Sequence, residues 1–227
     1  MADVAHEAGV SVASVSNFLN KQPYMSEAMA ARIAEAIDRL GYKVNSSARN
    51  LRSGRTRLLK LVIPDLRQVY FSELAEDILA EARQHGYGVI VESTTNNRAR
   101  ELESIASMGT HSADGLILSP LMMTVDDIAA LDGDYPLVLL GERLFGVNAP
   151  HVVIRNREGA AAATYHLLDA CCRRIAVVGA VPHPEHDFSS GSIRTHGYRE
   201  ALAARGIPCD DSLLIETQGW GSADGLV

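Results

Sequence analysis

No apolar run in the 227-residue chain is long enough to span a bilayer, and no signal peptide opens it. These two absences argue against a membrane partner and predict a cytoplasmic protein. Cysteine is scarce: Cys171, Cys172 and Cys209. An odd count without metal spacing argues against a disulfide framework, and adjacent cysteines seldom pair with each other. The expectation is buried thiols in a reducing compartment. There is no internal repeat and no low-complexity tract. No Ser/His/Asp arrangement, phosphate-cradling glycine loop or paired-carboxylate motif stands out, so nothing points to an enzyme and no cofactor is implied. "HPEHD", His183 to Asp187, has no regular spacing on one face, so it reads as a solvated loop and not as a metal site.

An excess of positive charge is also lacking. The net charge of −7 argues against nucleic-acid binding by the whole chain. Its distribution says something different. Residues 1–57 hold eight Lys/Arg against five Asp/Glu, a net of +3, which leaves −10 for the remainder. Lys43, Arg49, Arg52, Arg55, Arg57 and Lys60 fall within Leu40–Lys60 with no acid among them. A small DNA-binding piece on an acidic regulatory body fits this asymmetry, and so does a solvated basic linker. The apolar fraction of 47% and charged fraction of 22% are those of a globular chain long enough for one large domain or two modest ones.

What is present begins with short helices. "DVAHEAG" sets Val4, Ala5 and Ala8 on one face and stops at Gly9. Ser11 is a natural N-cap for "VASVSNFLN", where Val12, Val15, Phe18 and Leu19 recur at helical spacing. After Pro23, Ser26 caps a third helix expected to bury Met29, Ile33, Ile37 and Leu40 before Gly41. From Leu58 onward, apolar runs such as "LLKLVIPD", "YGVIVES", "ADGLILSP", "PLVLLGE", "RRIAVVGA" and "SLLIET" alternate with amphipathic stretches, "TVDDIAALD" among them. That alternation predicts parallel sheets covered by helices on both faces.

Two short helices joined by a tight glycine turn make a helix-turn-helix, whose second helix enters the major groove. Val15, Phe18 and Leu19 would face inward. Ser11, Val12, Ala13, Ser14, Ser16, Asn17 and Asn20 would form the exposed side and helix start. Short hydroxyls and amides there can meet phosphates, aided by free backbone N–H groups. A plain three-helix bundle with a serine-rich solvent face would give the same pattern.

"DVAHEAGVSVASVSNFLN" followed by "VNSSARNLRSGRT" resembles the lactose-repressor (LacI/GalR) family of bacterial transcription regulators. The matches include Asp3, Val4, Ala5, Ala8, Gly9, Val10, Ser11, Val15, Ser16, Leu19 and Asn20, then Gly41, Tyr42, Asn45, Ala48, Arg49 and Leu51. "ADGLILSP" and "RTHGYREALAARGI" extend the resemblance over the whole chain. It implies an all-α helix-turn-helix head (residues 1–44), a hinge helix or linker (45–56) and a periplasmic-binding-protein-like α/β core. The core would have an N-terminal subdomain (57–155) and a partial C-terminal one (156–227). It further implies double-stranded operator DNA and a sugar-like small effector as partners, a homodimer in longer forms, and a place on the nucleoid.

By the same resemblance, Val12, Ala13 and Asn17 would read bases, while Ser11, Ser14, Ser16, Asn20 and Ser26 would meet phosphates. Asn45, Ala48, Arg49, Leu51 and Arg52 would act in the hinge, with Leu51 wedged into the minor groove. Tyr70, Phe71, Arg194 and Trp220 would line the effector cleft, with Glu142 and Arg143 at a strand end beside it. From the residues alone, Phe71 and Trp220 also fit core packing, and Arg194 a surface ion pair. Three departures stand out. Asn17 replaces the usual arginine, which predicts a different operator preference. Val44 replaces the usual proline before the hinge. The first helix begins almost at Asp3.

Family members continue beyond the point where this chain stops, so the second subdomain is expected to be incomplete. An unpaired strand edge and lower stability would follow. A solute-binding protein without a regulatory role is the alternative reading. The helix-turn-helix and the lack of a signal peptide count against it.

Overall fold

A computed structural model of the chain describes residues 1–19, 22, 25–42, 54–110, 112–144, 146–181 and 189–217. It divides into two compact units, Met1–Gly54 and Arg55–Val227.

The first unit holds α1 (Ala2–Ala8), α2 (Val12–Leu19) and α3 (Glu27–Leu40). Gly9 ends α1 in the left-handed region at φ 60°. The Ser11 hydroxyl accepts the Ser14 N–H at 3.0 Å and opens α2, and the Ser26 hydroxyl accepts the Met29 N–H at 3.4 Å and opens α3. Val4, Ala5, Ala8, Val15, Ile33 and Ala36 make the buried core, with Phe18, Leu19, Met29 and Ile37 packed around it. One expectation fails here: Leu40 is 45% exposed, and Ala36 takes the inward place. Leu40 is the last residue of α3, where the helix has turned past the core.

The second unit contains a five-stranded parallel sheet in the order β2-β1-β3-β4-β5. The strands are β1 (Leu58–Ile63), β2 (Gly88–Ser93), β3 (Gly115–Leu118), β4 (Leu137–Leu140) and β5 (His151–Val152). Between them run α4 (Val69–Gln84) and α5 (Arg98–Ala106). β1 explains its own apolar run. Val62 joins Ile105, Met108, Leu116, Leu118 and Leu139 on one face, while Leu61 and Ile63 pack with Ala75 and Phe71 on the other. A second parallel pair, β6 (Val177–Val178) and β7 (Leu214–Ile215), is flanked by α6 (Asn156–Asp169) and α7 (Ser190–Ala204). These strands are two residues each, shorter than the apolar runs that hold them, and among the described residues each pairs only with the other. "TVDDIAALD" is a 3-10 helix, Val125–Leu131, opened by a Thr124–Asp127 capping box.

Three polar clamps hold the unit where apolar packing cannot. Lys60, inside β1, meets Glu92 at 2.5 Å, the Ser107 hydroxyl at 2.7 Å and the Ser104 carbonyl at 3.0 Å. One of the six basic residues of the charged stretch is therefore an internal strut. Glu101 is fully buried and accepts the backbone N–H groups of Leu121, Met122 and Met123. Asp114 accepts the Thr56 N–H at 2.5 Å, the Thr56 hydroxyl at 2.7 Å and the Arg57 N–H at 3.0 Å, fixing the residues that lead into β1.

Burial is the largest single influence on Asp114 and opposes its ionisation. The Thr56 and Arg57 donors, with the Arg55 charge, outweigh it and hold the carboxyl below the ordinary carboxylate range. A depressed folded-state pKa contributes stability above the unfolded value, and that stability is lost as pH falls through the folded value. Asp114→Asn should therefore lower stability at neutral pH by about 1–2 kcal/mol and narrow the gap from wild type at strongly acid pH. Urea unfolding at a series of pH values checks this. A gap that does not change with pH would exclude the ionised carboxylate as the source.

The cysteines also depart from expectation. All three are exposed, not buried. Cys171 and Cys172 lie just past the end of α6, where the chain turns outward.

Candidate nucleic-acid interface and ligand site

The turn of the first unit is built from both sides. Arg32 on α3 donates to the carbonyls of Ala8 and Gly9, the latter at 3.1 Å. A Cβ at Gly9 would lie 2.6 Å from the Arg32 Nη2. The positive φ is what calls for glycine here, and a side chain would in addition push aside the guanidinium that closes over it. This fastening fixes where α2 begins. Val15 is then fully buried, with Phe18 and Leu19 packed on the same core.

The opposite side of α2 is left to solvent. Ser11, Val12, Ala13 and Asn17 are exposed, and Ser14 and Ser16 half-buried. The Ser11 and Ser14 hydroxyls also meet each other at 2.9 Å, so both are held at the helix start. Ser26 is exposed at the start of α3. Chemically this surface offers two short apolar side chains, one amide and several hydroxyls beside free helix-start N–H groups. It suits base edges flanked by phosphates. Asn20, Asn45, Ala48, Arg49, Leu51 and Arg52, and with them most of the expected hinge, lie outside the described residues.

In the second unit, the candidate ligand residues fall in two groups at the carboxyl edge of the first sheet. Tyr70 and Phe71 sit in the first turn of α4, soon after β1. Their rings meet edge-to-face, 5.0 Å apart at 72°. Phe71 is half-buried against Leu61, Ile63 and Ala75, whereas Tyr70 is 52% exposed. Of the pair, Tyr70 has the face to offer a ligand.

The second group follows β4. Glu142 accepts the Asn156 Nδ2–H at 2.8 Å, and Asn156 Oδ1 accepts the Arg194 Nε–H at 2.7 Å. Arg143 donates to the Met123 carbonyl at 3.2 Å. The structure therefore brings Glu142 and Arg194 together through a residue that sequence reasoning missed. Asn156 is buried and is the first residue of α6. An asparagine directly before the acidic helix start "REG" was the available signal. The relay joins the end of the first sheet to a helix of the second. It presents donors from arginine and amide and acceptors from carboxylate and amide, the set that hydroxyl-rich ligands engage. Trp220 lies outside the described residues, as does "HPEHD".

Two family models match the chain. "Bacterial regulatory proteins, lacI family" covers residues 1–45, and "Periplasmic binding proteins and sugar binding domain of LacI family" covers residues 56–218. Among curated relatives, catabolite control protein A of Priestia megaterium is 31% identical over 94% of this chain and 64% of its own length. The transcriptional regulator GalR of Salmonella typhimurium is 32% identical over 93% of this chain and 61% of its own. The chain thus spans less than two thirds of the length of these relatives. A solved transcriptional regulator of the LacI family from Sanguibacter keddieii superposes with a TM-score of 0.66 at 36% identity, over 75% of this chain and 60% of that one. The lac repressor bound to ONPG superposes at 0.80 over 98% of this chain and 66% of that one; at 20% identity this bears on the fold alone.

Proposed function

The chain belongs to the lacI family of bacterial regulatory proteins, and from that premise we propose that it is a sequence-specific DNA-binding transcription regulator, a repressor, controlled by a small sugar-like ligand. The observation that carries the reading is the second helix, α2. Its inner face is locked into the head by Val15, Phe18 and Leu19, while Val12, Ala13 and Asn17 are left to solvent. Two such heads in a homodimer would meet the half-sites of a near-palindrome. The work is done in the cytoplasm, on the nucleoid.

In this reading, Val12, Ala13 and Asn17 address base edges, and Ser11, Ser14, Ser16, Asn20 and Ser26 address phosphates. Asn45, Ala48, Arg49, Leu51 and Arg52 form the hinge contacts. The boundaries follow the sequence expectation: head 1–44, hinge 45–56, first core subdomain 57–155, second from 156. Tyr70, Phe71, Glu142, Arg143, Arg194 and Trp220 serve the ligand, with Asn156 added. The relay through Asn156 supports this, since it spans the two sheets at the place where a ligand would have to bridge them. A ligand that competes for Arg194 and Glu142 binds the two arrangements of the core with different affinity. Only that difference can bias the hinge.

Asn17 gives the sharpest test. An asparagine amide pairs with adenine N6 and N7, and an arginine with guanine O6 and N7. Binding-site selection with the wild-type chain should enrich adenine at one position per half-site. Asn17→Arg should move that position to guanine, with about 1–3 kcal/mol of discrimination. Identical selected sites for the two proteins would remove Asn17 from base reading. Failure of either protein to enrich any site would count against the regulator reading itself.

A further inference from the structure

The exposed cysteine pair is not used by any part of the regulator reading. Cys171 and Cys172 close α6 in a defined turn. The Cys171 N–H bonds the Leu168 carbonyl at 3.0 Å, and the Cys172 N–H bonds the Leu167 carbonyl at 3.0 Å. This is the paired hydrogen-bond pattern of a Schellman ending. Its left-handed residue is ordinarily glycine, yet Cys171 occupies it at φ 66°. Both thiols belong to exposed residues. Both exposed residues are therefore held in sequence on a hydrogen-bonded turn, not in a free loop.

We propose that Cys171 and Cys172 form a dithiol site for trivalent arsenic compounds. Geometry selects this class of ligand. Adjacent Cα atoms stand about 3.8 Å apart across a trans peptide. Unstrained disulfides want roughly 4.4–6.8 Å, so direct S–S closure is disfavoured. An arsenic atom between the sulfurs lengthens the bridge, and pyramidal As(III) takes two sulfurs at close to a right angle. A linear two-coordinate metal would need them on opposite sides. A closed tetrahedral zinc site needs four ligands. Among the described residues, no group of three or more His, Cys, Asp or Glu side chains is arranged to hold a metal ion.

The step balances without any redox partner. Two S–H bonds and the two bonds from arsenic to the oxide oxygen of phenylarsine oxide break. Two S–As bonds form, the two protons leave with that oxygen as one water, and arsenic stays trivalent. The inference does not depend on DNA binding or on the sugar-like ligand.

The test uses the folded chain and phenylarsine oxide at equal concentration. Colorimetric thiol titration should fall from three reactive cysteines to one, with a single arsenical adduct by intact mass. The adduct should survive excess mercaptoethanol and reverse with dimercaptopropanol, which offers a competing dithiol. Cys209→Ser should keep it. Cys171→Gly should abolish it while folding at least as well, since glycine suits the left-handed position. Three titratable thiols after treatment would overturn the proposal. So would an adduct that persists in Cys171→Gly or one that disappears in Cys209→Ser.

Discussion

Glu101→Ala should unfold the α/β unit at much lower urea, with a loss of about 3–5 kcal/mol, and leave the helical head untouched. The side chain is fully buried. Its two oxygens accept Leu121 N–H at 2.9 Å, Met122 N–H at 3.1 Å and Met123 N–H at 2.9 Å. Three consecutive amides in a loop have no ladder to join, so this carboxylate is their acceptor. Each buried N–H left without one costs roughly 1–3 kcal/mol, and bonds to a charged acceptor lie at the strong end. Solvent recovers part of the loss at Met122, which is 42% exposed, but little at Met123, which is fully buried in the main core. Glu101→Gln keeps one acceptor oxygen and turns an NH2 group toward an N–H. It should lose about half as much. The damage should also reach the proposed ligand site, because the Met123 carbonyl holds Arg143. Urea curves followed by circular dichroism separate the two units. A loss below about 1 kcal/mol would mean that water takes over the carboxylate's place.

How far the sequence foretells such features depends on how local they are. The turn at Gly9 and the caps at Ser11 and Ser26 are set by residues within four positions of one another. They could be read directly, and so could the inward faces of α1 and α2. That β1 to β5 run parallel was legible as alternation; their order in the sheet was not. Nor were the sheet's buried charges. Lys60 looks like one more member of a basic stretch until β1 and β2 pair and bring Glu92 diagonally across to it. Asn156 is an ordinary helix-start residue until α7 brings Arg194 to one side of its amide and β4 brings Glu142 to the other. The cysteines misled for a related reason. Residue-type preference buries thiols, but the turn that ends α6 puts these two on the outside, and turn geometry outranks preference.

The crossing of α6 and α7 should be the least forgiving place in the second unit, and a pair of glycines can show it. At Gly197, a Cβ would lie 2.1 Å from the Arg157 carbonyl oxygen and 3.2 Å from the Ala160 Cβ. The obstacle is backbone, so no rotamer change relieves it, and the two helices must part. Overpacking of this kind costs about 1–3 kcal/mol and at times more. With a carbonyl as the neighbour, Gly197→Ala belongs at or above the upper end, about 3 kcal/mol. Gly159, on α6 itself, meets nothing within 4 Å of an added Cβ. There the same substitution removes only the excess freedom of the unfolded chain, and Gly159→Ala should stabilise by about 0.5–1 kcal/mol. The opposite signs isolate the helix contact from helix propensity. Function follows the same geometry. Gly197 is three residues beyond Arg194, and Arg157 is next to Asn156, so parting the helices here stretches the 2.7 Å bond between Arg194 and Asn156. Gly197→Ala should therefore weaken the response to a hydroxyl-rich ligand more than its thermal midpoint alone explains, while Gly159→Ala leaves that response intact. Denaturation of both variants beside ligand titration decides it. Equal shifts at the two glycines would show that α6 and α7 can yield where they cross.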